Sequence, residues 1–260
     1  MPGPTEQYWA DTIELLAADA WPAAEVRNLS GWRLRYTPET TIRRCNSVLA
    51  TAFNDDQQNR NLTKHVIGEV EKFYLTRHCL PRFQLSAACR PTHLEQVLAD
   101  LGYTIEAPTM VMSLSAGDLK INEQGVSPVS LSPIVDHNWL DCYMDDIPDI
   151  AQRRARMSII ARSQGQSIFA KIVDNSKIIA CGMMAIKNGY GGIFCMHTRS
   201  AFRGQGWGSE IINGFIKYGH KQSVNHYYLQ VETDNIKGQR FYEKVGFQTR
   251  YFYHYRTHQQ

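Results

Sequence analysis

The pattern of apolar and polar positions divides the opening part of the chain into a helix and a pair of strands. Over residues 6–20 the apolar side chains recur at the spacing of one helical face, which predicts an amphipathic helix that ends before Pro22. The β-rich runs 32–36 and 41–49 flank a Thr-Pro-Glu turn, and this arrangement predicts a hairpin. We therefore expect one helix followed by two antiparallel strands.

Helices and strands alternate through the rest of the first half. After a polar loop at 54–61, apolar residues recur at helical spacing through 66–74 and 94–101, and each stretch predicts a helix. Strand-like runs follow at 83–86 and 103–114. The first half is therefore expected to hold three helices and at least four strands.

The second half continues this alternation after a stretch rich in Ser, Gly, Asn and Pro. We interpret 116–130 as a linker between an N-terminal lobe, 1–115, and a C-terminal domain, 131–260. Asn188-Gly189 between two apolar runs predicts a tight hairpin turn. The predicted elements are helices around Trp139 and at 149–163, strands at 167–174, 177–187 and 190–198, a helix from Ser209, a strand at 227–231, a helix at 236–245 and a strand at 247–256.

Composition and charge narrow the class of protein. The 260 residues are 43% apolar and 20% charged, as in ordinary globular proteins. A net charge of +3 gives no reason to expect nucleic acid as the main partner. The sequence has neither an apolar run of membrane-spanning length nor a signal-peptide pattern, and its six cysteines lack metal-like spacing. We therefore expect a cytoplasmic protein with reduced thiols, no membrane partner and no metal site.

One stretch, 195–219, combines the end of a strand, a glycine-rich loop and a helix. Three glycines stand at alternate positions between Arg203 and Gly208, and helical spacing begins at Ser209. A helix N-terminus carries unpaired N–H groups and partial positive charge, and glycine lets a ligand approach the backbone closely. The stretch predicts a cradle for phosphate or pyrophosphate, with a turn that merely caps the helix as the alternative.

Two common phosphate-binding loops do not fit this stretch. A Walker-type loop needs Gly-Lys-Ser/Thr, and no lysine stands between Arg203 and Glu210. A dinucleotide loop needs Gly-x-Gly-x-x-Gly, and Ser209 stands where the third glycine belongs. ATP and NAD are therefore disfavoured as ligands.

Two motifs in the second half resemble one superfamily. Arg203-x-x-Gly206-x-Gly208 after a strand, and Val231-Glu232-x-x-Asn235 before the helical run 240–247, are similar to the GNAT superfamily of acyl-CoA N-acyltransferases. The resemblance covers roughly the last 110 residues. It implies a GNAT-like α/β fold. The central sheet of such a fold is mixed (α+β), and helices lie on both of its faces. The resemblance also implies that acetyl-CoA, the cosubstrate, lies where two parallel strands splay apart.

The two halves also resemble each other at an offset of 144 residues. This offset places 101–103 on 245–247, and 83–85 on 227–229, with helix–strand units coinciding. The positions of the glycine loop then carry Asn59, Arg60, Leu62 and Lys64 in the first half. We interpret the N-terminal lobe as a degenerate GNAT-like lobe that has lost its phosphate loop, in a tandem arrangement.

The resemblance implies roles for individual residues around the cofactor. The strand before the loop is expected to pair with the pantetheine arm through its backbone, and the loop is expected to offer N–H groups to the pyrophosphate. Asn235 is expected to contact the cofactor, to cap a helix, or to do both. The cofactor-binding residues so implied are Met196, His197, Thr198, Arg203, Gly204, Gln205, Gly206, Trp207, Gly208, Ser209 and Asn235.

A thioester already carries an activated acyl group, so the protein has to align an amine with it and manage protons. The resemblance implies that Tyr242 protonates the leaving thiolate. Glu232 is the expected acceptor of the amine proton, although a solvated glutamate at a strand end would look the same, and His197 is a second candidate base. The acidic run 145–149 either attracts a cationic acceptor or caps a helix.

The expected activity is transfer of an acetyl group from acetyl-CoA to a primary amine, by direct attack in a ternary complex. The acceptor is expected to be a small molecule or a peptide, and the protein a monomer or homodimer. Two alternatives stand beside this hypothesis. One is a non-catalytic CoA-binding or interaction module, and the other is a FemX-like aminoacyl transferase that uses charged tRNA, which the intact loop and the small basic excess disfavour.

Overall fold

A computed structural model describes residues 4–53, 59–118 and 128–258. These residues form seven α-helices and eleven β-strands, which divide into two compact units. The first unit contains residues 4–111, 230–239 and 249–258, and the second contains residues 112–229 and 240–248 as far as they are described. The mixed α/β class expected from the sequence is confirmed.

The first unit holds three helices and a mixed sheet. The strand order is β1-β2-β3-β4-β11-β5, with β3 and β4 parallel and β11 antiparallel to β4. The last strand of the chain therefore belongs to the same unit as the N-terminus. The elements are α1 (Glu6–Ala20), β1 (Glu25–Leu29), β2 (Trp32–Tyr36), β3 (Ser47–Leu49), α2 (Arg60–Leu75), β4 (Arg82–Leu85), α3 (Leu94–Asp100), β5 (Thr104–Ser115), which continues into the second unit, and β11 (Gln248–Thr257).

The second unit holds the glycine-rich loop. Its strand order is β5-β10-β9-β8-β7-β6, in which β9 and β10 are parallel and β6 to β9 are successively antiparallel. The elements are β6 (Val129–Ser132), α4 (His137–Tyr143), α5 (Ile150–Ser163), β7 (Ser167–Asp174), β8 (Lys177–Lys187), β9 (Tyr190–Thr198), α6 (Trp207–Lys221), β10 (His226–Glu232) and α7 (Ile236–Val245).

Apolar faces at the expected periods explain why these elements form. In α6, Ile211, Ile212 and Phe215 are buried, as the helical spacing predicts. Strand β8 is buried along most of its length, which is typical of a central strand covered on both faces. The indole of Trp139 donates a hydrogen bond of 2.9 Å to the carbonyl of Ala170, so α4 is fixed to the sheet by a buried polar contact as well as by packing.

The opening hairpin is the part of the fold that the sequence predicts least well. Strands β2 and β3 are antiparallel neighbours as expected, but residues 43–45 form a 3₁₀ turn instead of strand. The tight hairpin joins β1 to β2 through Ser30 and Gly31, both with positive φ. Four of the five residues of β1 are exposed, and a strand without a buried face carries no apolar alternation to reveal it.

The predicted linker 116–130 contains two short structured pieces. Residues 116–118 form a 3₁₀ turn, and Val129 and Ser130 belong to β6, which pairs with β7. Residues 119–127 lie outside the described residues. The predicted boundaries, 1–115 and 131–260, stay predictions.

The elements of the two halves correspond at the offset of 144 residues. With that offset α1 falls on 150–164 and α5 is Ile150–Ser163, while β4 falls on 226–229 and β10 is His226–Glu232. Helix α2 falls on 204–219, so it begins three residues earlier, relative to the offset, than α6. The parallel pairs β3–β4 and β9–β10 also correspond. The same order of elements therefore occurs twice.

A buried polar network fixes α1 to the first unit's sheet. Glu14 accepts hydrogen bonds from the Tyr251 hydroxyl (2.9 Å) and from the Gln84 amide (2.5 Å), and Arg35 donates to Gln84 at 2.7 Å. Glu14 is 1% exposed. Burial raises the pKa of Glu14 to about 7, against the lowering effect of Tyr251, Arg35 and Arg44. Between pH 4.5 and about 7 the folded protein therefore holds a proton at Glu14 that the unfolded chain releases.

The Glu14 carboxyl is expected to make folding stability depend on pH. Its pKa rises from 4.5 to about 7 on folding, so the folded state binds more protons between these values and stability falls as the pH rises through this window. The loss is about 3 kcal/mol. Glu14→Gln should remove this slope, measured as the urea-unfolding free energy at pH 5 and pH 7.5. Glu6→Gln, at an exposed position of the same helix, should retain it, and equal slopes for both variants would contradict the assignment.

Candidate active site

The strand that leads into the glycine loop carries a β-bulge. Cys181 of β8 pairs with His197, and Met183 pairs with Phe194, so β9 has one residue more than β8 between these pairs. Cys195 adopts φ +54° at this point. Bulges bend a strand and re-aim its side chains. The bulge thus sets the direction of the last three residues of β9 before the loop.

The parallel pairing of β9 with β10 stops well before β9 ends. Its register runs from the pair Tyr190–His226 to the pair Gly192–Tyr228, whereas β9 continues to Thr198. At His197 and Thr198, after the bulge, β9 keeps a register with β8 on its other side. Strand edges released in this way can hydrogen-bond an extended ligand through the backbone. This is the type of splayed parallel pair that the resemblance predicts.

Alternate residues at the end of β9 point in different directions. The Met196 side chain lies over Gly182, where Ile211 and Phe215 of α6 also approach. His197 lies instead near Asp145 and Asp146. A ring nitrogen of His197 and one carboxylate oxygen of each aspartate lie within 4.8 Å of one another. Met196 therefore faces α6, whereas His197 faces the segment between α4 and α5.

The glycine loop leaves the N-terminus of α6 without a side-chain cap. Gly206 is the N-cap residue, with φ +89°, and within the described part of the chain no side-chain cap bonds to this helix N-terminus. A side chain at this φ would be strained. Gly208 serves a different purpose, since a Cβ there would lie 3.1 Å from Cζ of Phe241. The loop thus combines a left-handed turn with a close approach of α6 to α7.

Four of the other helices close their own N-termini with a side chain. Thr5, Asn59, Asp136 and Asp149 accept hydrogen bonds from the first N–H groups of α1, α2, α4 and α5 respectively. At the position of the first half that corresponds to the loop, Asn59 bonds Asn61 N at 2.9 Å and Leu62 N at 3.3 Å. The open N-terminus of α6 is therefore available to an anion, whereas that of α2 is closed.

Two arginines connect the end of β9 and the loop to the segment between α4 and α5. Arg199 forms an ion pair with Asp145 and donates from Nε to the Ile178 carbonyl at 2.8 Å. Arg203 forms an ion pair with Asp146 and donates from Nε to the Thr198 carbonyl at 2.9 Å. The first arginine of the predicted loop is thus paired with a carboxylate.

The acidic run 145–149 divides between two roles. Asp149 caps α5 by accepting from Ala151 N (2.7 Å) and Gln152 N (3.2 Å), so the helix-capping interpretation is correct for this residue. Asp145 and Asp146 instead pair with arginines. Neither of these two carboxylates is free to act on its own as a site for a cationic acceptor.

His197 has an unpaired ring nitrogen in an enclosed position. Its Nε2 is buried and has no hydrogen-bond partner among the described residues. Burial lowers the pKa of His197, and the guanidinium groups of Arg203 and Arg199 lower it further, whereas Asp146 and Asp145 raise it. The imidazole is therefore neutral at physiological pH.

Tyr242 lies on a helix with a poorly covered apolar face. None of the residues of α7 is buried, and the Tyr242 ring packs against Phe241 and Phe247 with centroid distances of 5.0 and 6.0 Å. Its ring is half-buried, and its hydroxyl has no hydrogen-bond partner within the described part of the chain. Burial raises the pKa of Tyr242 to about 12. The phenol is therefore protonated at neutral pH and can donate.

Glu232 and Asn235 lie at the end of β10 and the start of α7. The Glu232 carboxylate is exposed and lies 3.6 Å from Arg43, which also contacts Glu106. Asn235 accepts a hydrogen bond from Gly238 N at 2.9 Å. The expectation that Asn235 caps a helix is therefore confirmed for α7. The roles of Glu232 as a base and of Asn235 in cofactor binding stay predictions.

The sequence missed the pairing of Arg199 with Asp145 and of Arg203 with Asp146. These partners are 54 and 57 positions apart, and no local pattern connects residues at such separations. The sequence shows only that two acidic residues stand between predicted helices and that two arginines stand just before the loop and at its start.

A family model and a curated relative match nearly the whole length of the chain. The family described as probable histone acetyltransferase Rv0428c C-terminal matches residues 11–256. The uncharacterized N-acetyltransferase YobR of Bacillus subtilis (strain 168) is 25% identical over 248 residues, which cover 94% of this chain and 96% of the relative.

Solved structures show the same fold at low identity. A GCN5-related N-acetyltransferase from Kribbella flavida superposes with a TM-score of 0.69 at 12% identity, covering 96% of each chain. A tandem GNAT protein from the clavulanic acid biosynthesis pathway superposes with a TM-score of 0.67 at 10% identity, covering 95% of this chain and 87% of that one. A separate observation is that the helices of the described residues include none with the length and apolar character of a membrane span.

Because the family model covers residues 11–256, the chain belongs to the Rv0428c C-terminal family within the GNAT superfamily and is an acetyltransferase of the GNAT type.

Proposed function

We propose that this acetyltransferase transfers an acetyl group from acetyl-CoA to a primary amine. The observation that carries the proposal is the open N-terminus of α6, which Gly206 leaves without a side-chain cap directly after a strand that has left its parallel neighbour. Such a helix end favours an anion. The pyrophosphate of CoA would bind there, held by N–H groups of residues 205–209 and by Arg203.

The pantetheine arm would follow the end of β9. Residues 196–198 have no register with β10, while His197 and Thr198 stay paired with β8, so the backbone groups on the β10 side are suited to an extended ligand. The apolar residues of α7 in the second unit support the same location, because Phe241 lies close to Gly208 of the loop and is only half-buried. A ligand that covers these residues would remove apolar surface from water.

The chemistry requires one proton to leave the acceptor and another to move from nitrogen to sulfur. A neutral amine attacks the thioester carbonyl, the C–S bond breaks, and the thiolate receives a proton. Tyr242, with its pKa raised to about 12, would supply that proton and recover one from the nitrogen of the intermediate. Glu232, or His197, would accept the first proton from the ammonium form of the acceptor.

The N-terminal lobe would have no cofactor of its own. Asn59 closes α2 where Gly206 and its neighbours leave α6 open, and β3 ends after three residues. Under the offset, Leu98 stands at the position of Tyr242 and is buried. We infer a tandem arrangement in which only the second lobe retains the chemistry.

The acceptor class and the compartment are also proposals. The matching family's description names histone acetylation, so a lysine-bearing peptide is the first acceptor to test, followed by small primary amines. None of the six cysteines, all of which lie within the described residues, forms a disulfide, which is in keeping with the reducing conditions of a cytoplasm.

Replacing Gly206 should separate cofactor binding from backbone strain. Gly206→Glu places a carboxylate at the helix N-terminus, and we expect CoA affinity to fall by about tenfold or more because the negative charge repels the pyrophosphate. The measurement is calorimetry with CoA. Gly165→Glu is the matched control, since Gly165 also has positive φ (+93°) and open surroundings. Unchanged CoA affinity in Gly206→Glu would contradict the loop assignment.

Removal of the Tyr242 hydroxyl should slow the transfer without weakening cofactor binding. Tyr242→Phe is expected to lower kcat roughly 100-fold, which is typical for loss of a general acid, and to leave the Kd for CoA unchanged. Free thiol release with an amine panel is the assay. Tyr218→Phe, at another half-buried tyrosine of the second unit, is the control. Full activity in Tyr242→Phe would exclude Tyr242 as the acid.

A further inference from the structure

The arginine that opens the glycine loop already has a negatively charged partner. Its guanidinium pairs with Asp146 and donates to the Thr198 carbonyl at 2.9 Å. The two side chains are 53% and 54% exposed, and exposed ion pairs of this kind contribute little free energy. A pyrophosphate group at the α6 N-terminus would therefore compete successfully for Arg203.

His197 lies beside the same ion pair and has an unsatisfied nitrogen. Its Nε2 is enclosed and has no hydrogen-bond partner in the described ranges of the chain, and such buried polar atoms are uncommon and need an explanation. The charged groups that face the imidazole are Asp145 and Asp146 from the α4–α5 segment, and Arg199 and Arg203 from the end of β9 and the loop. Each carboxylate is neutralised by one of the arginines.

We propose that cofactor binding transfers Arg203 from Asp146 to the pyrophosphate, and that the released Asp146 then supports His197 as the group that deprotonates the acceptor amine. This inference rests on the proposed function, because it requires CoA at the glycine loop. It assigns a positioning role to Asp146 and a catalytic role to His197. The loop arginine then connects cofactor binding with proton transfer.

The direction of the effect follows from the charges around His197. Arg203 now lowers the pKa of the imidazole and Asp146 raises it. When Arg203 moves to the pyrophosphate, it no longer lowers the pKa of His197. The Asp146 carboxylate, which raises this pKa, is then left without its counter-ion. The pKa of His197 therefore rises toward neutrality when the cofactor binds, which suits a general base.

The proton balance is complete with groups of this chain and the two substrates. His197 takes one proton from the acceptor ammonium, and the neutral amine attacks the thioester carbonyl. The C–S bond breaks, Tyr242 gives its proton to the thiolate, and the second nitrogen proton returns to Tyr242. His197 then releases its proton to water, so the products are the amide, CoA thiol and one proton.

An NMR titration of His197 tests the inference without turnover. The full-length protein, labelled at histidine, is titrated free and saturated with CoA, which carries no acetyl group, and His197→Gln identifies the resonance. We expect CoA to raise the pKa of His197 by about one pH unit. Asp146→Asn should reduce this rise, because only the departure of Arg203 then contributes to it, and should tighten CoA binding by about two- to fivefold, since Arg203 no longer has a competing partner.

Asp145→Asn is the matched control. Asp145 pairs with Arg199, which lies outside the loop, so the CoA-induced rise in the pKa of His197 should persist in this variant. An Asp146→Asn protein that keeps the full rise, or a wild-type protein that binds CoA with no change at His197, would overturn the inference and leave the proposed function standing. Absence of CoA binding by calorimetry would overturn both.

Discussion

The N-terminus of α6 is the constraint on which the site depends. A helix begins with N–H groups that need acceptors, and Thr5, Asn59, Asp136 and Asp149 supply them for four other helices. Gly206 has no side chain to do so, and its φ of +89° turns the chain directly from the loop into the helix. The end of β9, where its pairing with β10 has stopped, and the ion pair of Arg203 with Asp146 belong to the same segment of chain as this uncapped helix end.

The first unit shows what the same arrangement becomes when its helix end is closed. Helix α2 begins three residues earlier, relative to the 144-residue offset, than α6, and Asn59 occupies the donors that an anion would need. In this unit, buried polar side chains bond to one another instead. Glu14, Gln84, Arg35 and Tyr251 form a buried network that holds α1, and Glu14 retains a proton near neutral pH because burial disfavours its charge.

The elements that the sequence predicted well are those with a strong apolar period or an unmistakable turn. Helix α6 and the strands β7, β8 and β9 follow their predicted ranges closely, because one-sided or complete burial leaves a clear pattern. Strand β1 was missed because its side chains are exposed. The β-bulge at Cys195 also has no signature, since one additional residue in a buried strand does not interrupt its apolar character.

The sequence alone determined the order of the elements, the glycine loop and its place between a strand and a helix, because these depend on residues that are neighbours in the chain. It also located Tyr242 and Asn235 on the last helix and its cap. Only the tertiary structure decided that β9 parts from β10 after Gly192, that Arg203 is held by Asp146, and that Nε2 of His197, beside them, has no partner among the residues described. These features depend on side chains more than 50 positions apart and on pairing between strands, which local patterns do not encode.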